Sequence, residues 1–79
     1  MSPKFPAVTS DEVIRVIQKI GFRFIRQAGS SHAIYFREKD KRRTVVPVHS
    51  GKIIKRKTFK MILSNAGLTA EEFNEIKRK

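Results

Sequence analysis

An α+β fold in the order α-β-β-β-α, closed by a short C-terminal helix, is predicted by three features of this sequence. Two helix starts carry complete capping boxes, Thr9 with Glu12 and Thr69 with Glu72. Gly21 and Gly67 stand where two helices should stop. The stretch between those glycines begins with short β-branched and aromatic runs broken by turn residues, the pattern of strands and hairpins.

Each element has its own warrant. Thr9 caps the first helix, and Val8 and Val13 sit where a hydrophobic staple would join. Val13, Ile17 and Ile20 follow at helical spacing, Ile14 and Val16 widen the apolar face, and Gly21 ends it. Residues 22–27 suit a first strand, and Gly29-Ser30-Ser31 forms a turn. Residues 32–37 form a second strand and residues 38–42 a charged hairpin loop. Thr44, Val46 and Val48 alternate as one face of a third strand, which Pro47, lacking a backbone donor, places at an edge or brings to an end. From Thr58, the spacing of Phe59, Ile62, Leu63 and Ala66 marks a second helix. Leu68 and Phe73 flank the second capping box as its staple. Three antiparallel strands with helices on one face would bury one small core.

Length and composition narrow the function. A chain of 79 residues is expected to form a single domain over 1–79, with its core at about 9–75. The absence of cysteine excludes disulfides and thiolate metal sites. The N-terminal Met1-Ser2-Pro3-Lys4-Phe5-Pro6 has no apolar run for a signal peptide, and no segment has the length of a membrane span, so a cytoplasmic location is expected. Eighteen Lys and Arg against seven Asp and Glu give a net charge of +11. Residues 29–60 hold ten basic and two acidic side chains. Such charge favours a polyanion: RNA, DNA, an anionic membrane or an acidic protein, among which charge alone does not choose.

The candidate chemistry lies in residues 28–60. His32 follows the Gly-Ser-Ser turn at the start of the second strand, where Ser30 and Ser31 are candidate supporting donors. An imidazole titrates near neutrality, so it can take a proton from a ribose 2′-hydroxyl or return one to a leaving oxygen. The alternative is a histidine that does no chemistry. His49 lies where the third strand ends, before Ser50-Gly51-Lys52, and either assists the site or closes the strand structurally. Lys52, Lys55, Arg56 and Lys57 lead into the second helix, where unpaired backbone N–H groups favour phosphate and Thr58 is the expected cap. A solvated basic face is the plainer account of those charges. Tyr35 and Phe36 could include a base-stacking ring, and core packing is expected for one of them. Two histidines without further ligands nearby make a poor zinc set, so neither a metal nor another cofactor is expected.

These residues, in this order, resemble the HicA toxins of bacterial and archaeal toxin–antitoxin pairs, roughly from Thr9 to Phe73. The resemblance rests on Ile20-Gly21-Phe22, Gly29-Ser30-Ser31-His32-Ala33-Ile34-Tyr35 and Val46-Pro47-Val48-His49. It extends through Lys55-Arg56-Lys57-Thr58-Phe59 and Ile62-Leu63-Ser64-Asn65-Ala66-Gly67-Leu68-Thr69. The turn carries one serine more than the family's Gly-Ser-His, and Arg56-Lys57 stand where Gly or Pro-Gly is common. The resemblance implies a double-stranded-RNA-binding-domain-like fold. It also implies an mRNA-cleaving toxin that stops translation, an essential histidine at His32, and a HicB antitoxin that masks it. The expectation is therefore an endoribonuclease with His32 as general base or acid. A noncatalytic double-stranded-RNA-binding-like module is the alternative.

Overall fold

The first helix, α1 (Ser10–Lys19), starts as its capping box requires: Glu12 N–H donates to Thr9 Oγ1 at 3.3 Å, and Thr9 N–H donates to the Glu12 carboxylate at 2.9 Å. The structure, a computed structural model, describes residues 7–29, 31–48 and 52–79. Val13, Val16 and Ile17 turn one side of α1 into the core. Three strands follow, β1 (Arg23–Ala28), β2 (His32–Arg37) and β3 (Arg42–Pro47), in one antiparallel sheet of order β1-β2-β3. Helices α2 (Arg56–Ala66) and α3 (Ala70–Arg78) complete the chain, giving the expected α-β-β-β-α order with its terminal helix.

The differences from expectation have local causes. β1 starts one residue late: the Phe22 N–H donates to the Ile17 carbonyl at 3.0 Å and so closes α1, while its buried ring lies under the Arg37 guanidinium, 4.7 Å from the ring centre. The hairpin loop ends at Lys41, which takes a left-handed φ of 58° and lets Arg42 pair with Arg37 as the first rung of β3. Helix α2 begins two residues before Thr58. Lys55 is its N-cap and makes no side-chain capping bond, so Thr58 lies inside the first turn and does not cap. Gly67 ends α2 in the left-handed conformation, φ 73°, as a C-terminal glycine should. Thr69 and Glu72 form the second capping box at 3.0 and 2.9 Å.

The helices lie on one face of the sheet. Ala33, Tyr35, Thr44 and Val46 form its floor, and Phe59, Ile62, Leu63 and Phe73 pack with the buried side of α1 above them. Phe59 and Phe73 meet edge to face with ring centres 4.9 Å apart, joining α2 to α3. α3 is also tied to α1 by the Lys77–Glu12 ion pair at 2.9 Å. The Thr9 backbone bond, with Lys77, holds the Glu12 carboxyl below its ordinary range.

The β2–β3 hairpin is clamped to the helix ends by arginine. Arg37 donates to both Asp40 oxygens, at 2.9 and 2.7 Å, and to the carbonyls of Ile20 at 3.1 Å and Ala66 at 3.4 Å. Arg42 donates to Asp40 at 3.1 Å and to the Asn65 carbonyl at 3.3 Å. These guanidinium groups meet the C-terminal carbonyls of α1 and α2, where the helix dipole favours cations. The hydrogen bond from Arg37 holds the Asp40 carboxyl down to about 2.

Two outcomes are expected. Phe73→Ala should cost about 3–5 kcal/mol in urea titration, a large share of the roughly 4–12 kcal/mol available to a chain of this length. Asp40 has a folded-state pKa below its unfolded one, so its contribution is present above the ordinary carboxylate pKa and is lost as pH falls towards about 2. Thermal melts of Asp40→Asn should therefore show a smaller loss of Tm between pH 5 and pH 2 than the parent chain.

Candidate nucleic-acid interface

Pairing on both sides of β2 fixes where His32 points. In an antiparallel sheet, residues directly opposite share a face, and alternate residues change face. Ala33 and Tyr35 face the helices, so His32, Ile34 and Phe36 face away from them. The open face is then three rungs deep. His32 stands between Ala28 and Pro47, Ile34 between Arg26 and Val45, and Phe36 between Arg23 and Arg43.

The His32 rung gives the imidazole short neighbours on both sides, and its side chain is exposed. Its backbone is held from below: Val48 N–H donates to the Ser31 carbonyl at 2.6 Å, extending the β2–β3 pairing past His32. Ser31 is half-buried beside it. Ser30 and His49, the other expected supporting residues, lie outside the described residues.

A bulge in β1 supplies a feature that the sequence did not disclose. Phe24 pairs with Tyr35 but Arg26 pairs with Ile34, so Ile25 is an extra residue. Beyond the bulge the alternation is reset, and Arg26 joins Arg23 on the open face. In a regular strand, residues three apart would point to opposite faces. No local motif marks Ile25 as the extra residue, because the bulge follows from pairing with β2. The two aromatic residues of β2 divide as expected: Tyr35 is buried, with its phenol pushed up by that burial, and Phe36 is half-buried on the open face.

The lysine window occupies a neighbouring place. Ser10 Oγ donates to the Pro47 carbonyl, and Thr9 makes an isolated bridge with Ile53, so the chain after β3 returns to the start of α1. A cavity of about 370 Å³ opens there, lined by Ser10, Pro47, Ile54, Lys52, Lys55 and Thr58 among others. Pro47 belongs to both places, as His32's partner in register and as a wall of this cavity. Lys52, Lys55 and Thr58 are thus gathered, whereas Arg56 and Lys57 are exposed on the first turn of α2 outside the cavity wall. The first turn of α2 contains no acidic residue, an arrangement that an anion at its N-terminus would complement.

Among the described residues, no three His, Cys, Asp or Glu side chains gather as a metal site, and no helix is long and apolar enough to cross a membrane. No curated protein matches the chain. The family model described as HicA toxin of bacterial toxin-antitoxin matches residues 10–68, from the first residue of α1 to the residue after Gly67. That match spans the sheet, both neighbouring helices and His32, and the chain belongs to the HicA toxin family.

Proposed function

We propose that this HicA toxin is an endoribonuclease that binds and cleaves mRNA in the cytoplasm and so inhibits translation. The observation that carries the reading is the placing of His32: exposed at the start of the central strand, between Ala28 and Pro47, beside a lysine-lined cavity.

In this reading, an imidazole nitrogen of His32 takes the proton of a ribose 2′-hydroxyl. The 2′-oxygen attacks phosphorus, the bond from phosphorus to the 5′-oxygen breaks, and that oxygen leaves with a proton from the imidazolium or from water. The products are a 2′,3′-cyclic phosphate and a 5′-hydroxyl. The nucleophile belongs to the substrate, so the step requires no cofactor. Lys52 and Lys55, with the N–H groups at the start of α2, oppose the charge developing on phosphate; Thr58 lines the same cavity. Arg56 and Lys57 add long-range attraction from the first turn. Ser31 beside His32, and Ser30 and His49 on the strength of the sequence, are assigned as supporting groups. A HicB-like antitoxin is the protein partner, and it would silence the toxin by covering His32.

His32→Ala should lower cleavage of a defined RNA by about 10²–10⁴-fold while leaving RNA affinity within about twofold. It should also abolish growth arrest on expression. Undiminished cleavage and arrest would remove His32 from the mechanism and favour a noncatalytic RNA-binding module. Lys52→Ala with Lys55→Ala should weaken binding and reduce the slope of log affinity against log salt by about 1.4, the release expected from two single-strand phosphate contacts. An unchanged slope would place phosphate elsewhere.

A further inference from the structure

The open face of the sheet carries more than His32. We infer that it is a single-strand RNA platform on which a nucleobase stacks against Phe36 between Arg23 and Arg43, setting the position of the bond presented to His32. This rests on the ribonuclease reading and adds to it a substrate conformation and a subsite.

Four observations converge on that face. Arg23, Phe36 and Arg43 form one rung, an aromatic ring flanked by guanidinium groups on the neighbouring strands. All three strands lack acidic residues. Arg37 and Arg42, on the helix side, are engaged with Asp40 and helix carbonyls; among the described residues Arg23, Arg26 and Arg43 have no such partner and are exposed. A shallow cavity of about 230 Å³, lined by Ile25, Arg26, Ile34, Phe36 and Arg43, lies on this face, with Ile34 as its buried floor.

The chemistry suits an unpaired base. Its flat apolar face fits the Ile34–Phe36 surface, arginine planes and aromatic rings stack on bases of any sequence, and the adjoining phosphates meet the guanidinium groups. A base inside a duplex has no free face to offer. A second copy of this chain is disfavoured, because like-charged arginine rims would oppose each other. Phe36 lies two rungs from His32, about 13 Å along the strand, the reach of an extended dinucleotide. A base held at Phe36 would therefore fix which phosphate arrives at His32.

The test uses the full chain with His32→Ala, so that binding is read without cleavage, and 12-nucleotide RNAs labelled for fluorescence anisotropy. Single-stranded RNA should bind at least tenfold more tightly than the same sequence as a duplex. Phe36→Leu, which keeps apolar bulk, should weaken single-strand binding by about 5–100-fold, and Phe36→Tyr should restore it. Arg23→Ala with Arg43→Ala should lower affinity and salt dependence with an unchanged melting temperature. In the cleavage-competent chain, Phe36→Leu should also shift the cut positions on a long RNA. Single-strand affinity unchanged in both Phe36→Leu and the double arginine variant, or equal binding of duplex, would overturn the platform while leaving the role of His32 standing. If those variants lost a co-expressed antitoxin but kept RNA, the face would belong to the protein partner and the inference would fail.

Discussion

The register of β2 is the constraint on which the rest of this structure depends. As the central strand it is paired on both sides, and its residues alternate strictly between the helix face and the open face. Ala33 and Tyr35 are locked into the core with Val46 and the helices, so His32, Ile34 and Phe36 have no choice of side. A slip of one residue would exchange the two sets, placing an imidazole under the helices and a phenol outside. The hydrophobic core thus aims the histidine. This couples stability to site geometry, although His32 itself is exposed.

The strand arginines show how one residue type serves two faces. Arg37 and Arg42 turn towards the helices, share Asp40 and bind the carbonyls that end α1 and α2. Their charge is matched by a carboxylate held down to about 2 and by helix dipoles. One residue along each strand, Phe36 and Arg43 form a rung on the opposite face, completed by Arg23. Close approaches mark the inner clamp: a Cβ on Gly21 would meet the Arg37 side chain at 3.2 Å, and one on Gly67 would meet the Arg42 guanidinium at 3.1 Å. The inner arginines hold the hairpin, and among the described residues the outer ones pair with no carboxylate.

The sequence was most legible where the interactions are local. Both capping boxes, the terminating Gly67 and the strand of residues 32–37 appear where spacing placed them, because caps and alternation depend on residues only a few positions apart. Thr58 was legible as a helix-start residue but not as an interior one, since the start of α2 is set by Lys55 taking an extended backbone conformation without help from a hydroxyl. The basic window read as one continuous grip divides in space. Lys52, Lys55 and Thr58 share a cavity with Ser10, while Arg56 and Lys57 lie on the outer turn. That division depends on the Thr9–Ile53 bridge, a contact between distant parts of the chain.

By itself, then, the sequence determined the order of the elements, the caps that start α1 and α3, the apolar faces that make the core, and the singling out of His32 within a recognisable family pattern. These follow from short-range hydrogen bonding, backbone preference and hydrophobic periodicity. Tertiary structure decided which side chains share a face. The bulge at Ile25 brings Arg26 round to join Arg23, and cross-strand pairing sets Phe36 between Arg23 and Arg43. The physical reason is that strand periodicity gives each side chain a side only relative to its neighbours. Pairing with β2 sets the bulge, and packing of the helices makes one side the interior.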